Sequence, residues 1–169
     1  MTIIVVEGSD GAGKTTLIEQ AREGQRERYF LTVRASRYPP NLKTAFQYLQ
    51  WIKHQRDFDV LLDRIHFISD RVYGPILRNE DLFKELPLDF GVREAAVIVH
   101  CRPPLETILA NVGRTKQMVG VADHTEAIVK KYDELMMSLQ MRGRKVMTYD
   151  YTNDDPKAFW RYVWGEVKK

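Results

Sequence analysis

The sequence predicts an α/β domain in which a five-stranded parallel sheet carries helices on both faces. Short apolar runs alternate with longer stretches of helical periodicity along the chain, which is typical of parallel strands joined by crossover helices. The first run, 3–6, is an unbroken β-branched segment, as expected for a strand buried on both faces. The 169 residues contain no repeat or linker, so we expect a single domain over 1–169.

Five apolar segments are the predicted strands. They span 3–6, 30–33, 58–62, 95–101 and 146–149. The fourth segment is closed by Pro103 and Pro104, because proline removes a ladder donor. Ligands of such sheets bind at the carboxyl ends of the strands, so the residues that follow the first three strands are the first candidates for contact with a ligand.

Helical patterns fill the connections. They span 14–23, 42–54, 66–77, 105–112, a segment from about 123 to 141, and a last helix from 156. We expect Gly74 and Pro75 to bend or end the third helix, Asp123 to cap the fifth, and Pro156 to begin the last. Segment 113–122 is polar, with two glycines and two cations, and is predicted to be a mobile loop.

Composition argues against several classes of protein. The net charge of +3 is too small to indicate DNA binding by itself. No stretch approaches the roughly 20 apolar residues of a membrane span, and the N-terminus lacks the basic flank of a signal peptide. Cys101 is the single cysteine, so an internal disulfide is excluded, which suits a reducing cytoplasm. Together these observations lead us to expect a cytoplasmic protein without a membrane partner.

A phosphate-binding motif follows the first strand. Its glycines let backbone N–H groups turn toward phosphate oxygens, and the following helix aims its positive end at the same charge. We expect Lys14 to contact the β- and γ-phosphates and the Thr15 hydroxyl to bind Mg²⁺. The motif predicts a P-loop NTPase fold and ATP binding with Mg²⁺ through Gly8, Ser9, Asp10, Gly11, Ala12, Gly13, Lys14, Thr15 and Thr16.

The residues around this motif resemble two kinase families. The run from Glu7 to Thr16 resembles the opening of thymidylate kinases, whose P-loop carries an acidic residue at the position of Asp10. Asp63-Arg64 resembles their Asp-Arg-Tyr motif, although position 65 is Ile. Residues 63–73 also resemble the Glu-Arg-Ser to Ser-Asp-Arg-Tyr stretch of deoxynucleoside kinases, with one extra residue between the halves. The order of elements is similar over most of the chain.

The resemblance implies roles for five residues. Asp10 would contact the acceptor sugar, and Asp63 would lie near Mg²⁺ or the attacking oxygen. Arg64 would hold the acceptor phosphate or the transferring phosphoryl group, whereas Asp70 and Arg71 would contact the acceptor. The alternatives are that Asp63-Arg64 is an ion pair at a strand end and that Asp70 and Arg71 lie on a solvated helix face.

The segment after the second strand bears on the acceptor. It contains Arg34 and Arg37 but no carboxylate, whereas thymidylate kinases usually place Arg-Glu-Pro here and nucleoside kinases a Glu base. A hydroxyl acceptor benefits from a base, but a phosphate acceptor is already anionic and needs cations in fork geometry. Two arginines, Arg34 and Arg37, without a carboxylate therefore favour a monophosphate acceptor, although Asp63 could serve as a base.

Segment 113–122 lies where related kinases carry a lid. Charge that develops on the transferred phosphoryl group needs a cation that arrives with closure. Arg114 is the first candidate, Lys116 the second and Arg102 a further one. The alternative is a basic loop without a catalytic part.

The sequence thus favours an ATP-dependent, thymidylate kinase-like enzyme that converts a deoxynucleoside 5′-monophosphate to the diphosphate. The alternatives are a deoxynucleoside kinase, a kinase acting on a hydroxyl of DNA or of a modified base in DNA, and a nucleotide sensor without activity. The expected partner is a small-molecule acceptor. Related kinases are often dimers, so the resemblance leaves a homodimer open.

Overall fold

The computed structural model describes residues 2–24, 30–34, 42–55, 58–114 and 118–167. The predictions made for Arg37 and Lys116 fall outside these residues, and of Arg34 only the backbone is described.

The strands form one parallel sheet, as the sequence predicted. Within the described residues there are five: β1 (Ile3–Glu7), β2 (Phe30–Arg34), β3 (Asp59–Asp63), β4 (Val97–Cys101) and β5 (Val146–Tyr149). Their order across the sheet is β2-β3-β1-β4-β5. In the register of β1 against β3, Val6 pairs with Asp63. The segments that follow these two strands therefore leave the same edge of the sheet side by side.

Helices cover both faces of the sheet. They are α1 (Lys14–Gly24), α2 (Leu42–Lys53), α3 (His66–Tyr73), α4 (Leu105–Val112), α5 (Thr125–Met141) and α6 (Pro156–Val167). Alternation along β1 sends Val5 into a core shared with α2, α3 and α5, and Val6 into a core shared with α1 and α6. All five residues of β1 are buried, which confirms a central strand covered on both faces.

The third helix changes its geometry where the sequence predicted a break. α3 ends at Tyr73 and continues as one π-helical turn, Gly74–Arg78. Pro75 has no N–H to donate into an α-helical ladder. Gly74 leaves room for the carbonyl of Glu80, into which a Cβ would collide. Asn79, with φ of 55°, then ends the turn in the left-handed region.

The predictions for the starts of the fifth and the last helix had different outcomes. Asp155 caps α6, because its Oδ1 accepts the Ala158 N–H at 2.6 Å, and Pro156 is the first helical residue. The prediction that Asp123 caps the fifth helix is wrong. Asp123 lies inside a 3₁₀ turn, Ala122–His124, that runs directly into α5. The chain therefore does not take the extended conformation that a capping carboxylate needs at that position.

Candidate phosphate and acceptor site

The glycine-rich segment between β1 and α1 forms a tight loop at the carboxyl edge of the sheet. Gly8 has φ of 146°, and a Cβ there would lie 2.5 Å from the Cys101 carbonyl oxygen. Gly13 has φ of 82°, and a Cβ there would lie 2.8 Å from the Tyr151 ring. Both positions require glycine, because an L side chain would meet strain and a collision together. The loop thus has the backbone freedom and close packing that the motif predicted.

Lys14 places a buried cation inside this loop. Its Nζ donates to the Ser9 carbonyl oxygen at 2.6 Å. Burial, aided by the nearby Arg64 guanidinium, lowers the pKa of Lys14 to about 8, whereas Asp10 and Asp63 act in the opposite direction. The Ser9 hydroxyl is also buried, and no described residue bonds to it. A desolvated ammonium, an unpartnered hydroxyl and a helix N-terminus together make a site that fits an anion such as a phosphate.

Asp10 and Arg64 meet beside this loop. Arg64 Nη2 donates to Asp10 Oδ1 at 2.5 Å and to the Tyr73 hydroxyl at 3.1 Å. The same hydroxyl donates to Asp10 Oδ2 at 3.4 Å, and the guanidinium lies 5.1 Å from the centroid of the Tyr73 ring. The Arg64 and Asp10 side chains are 18% and 21% exposed. They are held in place but remain within reach of a ligand.

The backbone of Arg64 is strained. Its φ is 71°, in the left-handed region that non-glycine residues seldom occupy. The turn that contains it begins at the end of β3, where the Arg64 N–H donates to the Val6 carbonyl oxygen at 3.0 Å. Such strain is found mainly where the surrounding structure dictates the conformation for a functional reason.

Asp63 is a further charged residue at this edge. It is buried at the end of β3. Its charge is among those that raise the pKa of Lys14. Lys14 and Arg64 thus share this edge with the carboxylates of Asp10 and Asp63.

The side chains of Asp70 and Arg71 bond to the segment that follows α3. Asp70, which is 4% exposed, pairs with Arg78 and accepts the Leu82 N–H at 2.9 Å. Arg71 Nη2 donates to the carbonyl oxygens of Phe83 and Leu86, both at 2.6 Å. The alternative of a solvated helix face is therefore wrong. Both side chains tie α3 to the segment that follows the π-helical turn, and the acceptor contact predicted for them stays untested.

The two lid candidates among the described residues, Arg114 and Arg102, have different surroundings. Arg114 is exposed just beyond α4, whereas the Arg102 Nε donates to both carboxylate oxygens of Asp133, at 2.8 and 3.1 Å.

Helix α4 is bonded to the phosphate loop by a residue that the sequence did not single out. Asn111 Nδ2 donates to the Gly11 carbonyl oxygen at 3.0 Å and to the Tyr151 hydroxyl at 2.6 Å.

Glu7 is the second residue that sequence reasoning missed. It directly precedes the glycine-rich motif, yet it is fully buried and bonded to the segment that follows β3. The available signal was a carboxylate at the end of an otherwise apolar central strand, since a buried charge needs partners.

The five-stranded parallel sheet and the phosphate loop after its central strand define the P-loop NTPase fold that the sequence predicted. The chain is similar to the YorR protein of Bacillus subtilis, solved in complex with phosphorylated GDP. The identity is 16% and the TM-score 0.76, over 99% of this chain and 96% of that one. It is also similar to deoxyadenosine kinase from M. mycoides. The form with the products dCMP and dCDP has a TM-score of 0.61 at 14% identity, over 99% of both chains. The form with bound dATP has a TM-score of 0.59 at 14% identity, over the full length of both.

At these identities the likeness establishes the fold. No protein-family model and no curated protein matches the sequence, so the resemblance to thymidylate kinases stays a prediction.

Two general properties of the described residues bear on partners. None of their helices is both long and apolar enough to cross a membrane. Among the same residues, no three His, Cys, Asp or Glu side chains are grouped so as to hold a metal ion.

Proposed function

We propose that this protein is an ATP-dependent kinase that converts a deoxynucleoside 5′-monophosphate to the diphosphate. The observation that carries the proposal is the position of Arg64. Its guanidinium lies beside the phosphate loop, bonded to Asp10 and Tyr73, and its charge adds to the effect of burial in lowering the pKa of the Lys14 ammonium. Two neighbouring cations, each partly desolvated, suit a reaction that brings two phosphate groups together.

The loop is the proposed ATP site. The backbone of residues 8–16 and the Lys14 ammonium would hold the β- and γ-phosphates, and Thr15 with Asp63 would hold Mg²⁺. When bound, Mg²⁺ would neutralise part of the phosphate charge. It can be held through substrate phosphates and one or two protein oxygens, so the site does not need a cluster of metal-binding side chains.

Arg64 and Asp10 form the proposed acceptor side. Arg64 would bind the acceptor phosphate, with Arg37 as a second cation, and Asp10 would accept a hydrogen bond from the sugar. An oxygen of the acceptor phosphate forms the bond to the γ-phosphorus as the bond to the β–γ bridging oxygen breaks, and ADP leaves. Arg114 is the proposed cation for the charge on the transferring group. The buried contacts of Asp70 and Arg71 favour a supporting role in place of direct contact.

A deoxynucleoside kinase is the second candidate. It is favoured by the buried carboxylate of Asp63 at the same edge of the sheet, which could act as the base that a hydroxyl acceptor needs. The two candidates differ in the product, because only the first makes a diphosphate.

The test is to incubate the protein with ATP and Mg²⁺ and a panel of acceptors, and to read the products by mass. The panel holds deoxynucleosides, their 5′-monophosphates, the ribose counterparts and short DNA. We expect a diphosphate from one or more monophosphates. A monophosphate product would move the assignment to the deoxynucleoside kinase, phosphate on DNA alone would replace a small acceptor by a polymer, and no product at all would refute kinase activity.

Asp63→Asn tests Asp63 as the base if the panel identifies a nucleoside acceptor. In a monophosphate kinase the same carboxylate would serve Mg²⁺, so the product decides between the two candidates. If Asp63 is the base, this variant loses turnover of a nucleoside while it still binds ATP. Asp59→Asn is the matched control, since Asp59 lies at the opposite end of the same strand and accepts the Thr2 N–H at 2.8 Å. We expect the control to keep wild-type turnover.

A further inference from the structure

We infer that Glu7 is a positioning residue that holds Arg64 over the acceptor site by fixing the turn after β3. The inference rests on the proposed role of Arg64 as the acceptor cation. It adds a residue that does not itself touch the substrate.

The contacts of Glu7 converge on that turn. One carboxylate oxygen, Oε1, accepts the Ile65 N–H at 2.6 Å. The other, Oε2, accepts the Tyr132 hydroxyl at 3.1 Å and the Ser69 hydroxyl at 3.4 Å. Glu7 is 0% exposed, and its bonds to Ile65 and Tyr132 are buried. The carboxylate thus joins the end of β1 to the turn, to α3 and to α5.

Two successive residues of β1 hold two successive N–H groups of the turn. The Val6 carbonyl oxygen accepts the Arg64 N–H at 3.0 Å, and the Glu7 carboxylate accepts the Ile65 N–H. Between these two bonds the chain turns through the left-handed conformation of Arg64. A strained residue persists only where its neighbours over-determine it. These two bonds supply that constraint on either side of the Arg64 Cα.

The cost of burying a carboxylate points to a function beyond packing. An apolar residue would fill the same space without desolvating a charge. Burial raises the pKa of Glu7 to about 7, although the Ile65 hydrogen bond and the charges of Arg64 and Lys14 act to lower it. The groups that face it are Lys14 from α1, Arg64 from the turn, Ser69 from α3, Tyr132 from α5 and, by register, His100 from β4.

Two substitutions separate the hydrogen bond from the space that the side chain fills. Glu7→Gln keeps an acceptor oxygen for the Ile65 N–H, and its amide can donate to the Ser69 and Tyr132 oxygens. Glu7→Leu keeps the bulk but leaves the Ile65 N–H buried without an acceptor. A lost hydrogen bond to a charged group corresponds to about tenfold to a hundredfold in an equilibrium constant.

The kinetic test is a double-mutant cycle. We expect Glu7→Leu to raise the acceptor KM by about tenfold or more while the ATP KM changes by less than about threefold, and Glu7→Gln to stay near wild type. In an Arg64→Ala background, Glu7→Leu should cause no further rise, because the interaction that it disturbs is already gone. Thr125→Val, which removes a buried hydroxyl bond on α5 (to Val121, 2.9 Å), is the control for destabilisation alone.

A second readout does not depend on any substrate. Hydrogen exchange of the Ile65 amide should become at least about tenfold faster in Glu7→Leu than in wild type, and Glu7→Gln should retain the protection. If the wild-type protein phosphorylates none of the acceptors, the proposed function fails while this measurement still tests the positioning. Should Glu7→Leu not fold, Glu7→Asp replaces it, because its carboxylate is one methylene too short to reach Ile65. Unchanged exchange at Ile65, or an equal rise in acceptor KM with and without Arg64, would overturn the inference.

Discussion

Arg64 combines a strained backbone with a charged side chain, and substitutions can separate the two. Arg64→Gly and Arg64→Ala both remove the guanidinium with its bonds to Asp10 and Tyr73. They differ in the backbone, since only glycine accepts φ of 71° without strain. We therefore expect equal losses of activity and unequal stabilities.

The magnitudes follow from the geometry. The pair is mostly buried, so its loss costs about 2–3 kcal/mol in either variant. Alanine keeps a left-handed strain of about 1–2 kcal/mol. Glycine avoids the strain, but its freer unfolded chain offsets about 0.4–1 kcal/mol of the gain. The glycine variant should thus be more stable than the alanine variant by about 0.5–1 kcal/mol.

Urea unfolding measures the stabilities, and product formation with the best acceptor measures activity. We expect kcat/KM for the acceptor to fall about a hundredfold or more in both variants. Asn79 is the matched control, since its φ of 55° is also left-handed and its exposed side chain lies outside the site. Asn79→Gly and Asn79→Ala should differ in stability in the same direction without a change in activity. An alanine variant as stable as the glycine variant, or either Arg64 variant within about threefold of wild-type activity, would refute the reasoning.

Three further predictions test other parts of the site. Asn111→Ala should raise the ATP KM by about tenfold and leave the acceptor KM unchanged, because two hydrogen bonds that join α4 to the phosphate loop and to Tyr151 are lost. Asn153→Ala, on an exposed loop, is the control. An unchanged ATP KM in Asn111→Ala would contradict this role of Asn111. Lys14 should take up a proton when ATP binds above pH 8, since its lowered pKa leaves it largely neutral in the free protein and the phosphates favour the ammonium. Calorimetry at pH 8.5 in buffers of different ionisation enthalpy should find net proton uptake, with ATP affinity falling as the pH rises, and zero uptake would disprove it. Arg71→Ala should lower the free energy of unfolding, measured in urea, by about 2–3 kcal/mol with little change in either KM, because the hydrogen bonds of Arg71 to two carbonyl groups are lost. A selective rise in the acceptor KM at normal stability would instead indicate that Arg71 contacts the acceptor.

Elements whose signal is local were predicted well. The β-branched run of β1 and the glycine spacing of the phosphate loop act over a few consecutive residues, so strand, turn and helix could be identified without knowledge of the rest of the chain. The predicted break at Gly74 and Pro75 is of the same kind, because proline lacks the N–H that the helix needs. Asp123 shows the limit of such reasoning, since the choice between a cap and a 3₁₀ turn depended on how the preceding segment enters α5.

By itself the sequence determined the parallel α/β architecture, the phosphate loop with Lys14 and the grouping of charged residues behind neighbouring strands. Periodicity and turn chemistry act through near neighbours in the chain, and the carboxyl ends of parallel strands meet at one edge. Only the tertiary structure decided how the side chains pair. It joined Arg64 to Asp10 across 54 positions and Tyr132 to Glu7 across 125, and it turned Asp70 and Arg71 toward the segment after the π-helical turn. Adjacent residues of one helix point in different directions, so their partners depend on which segments pack against each face.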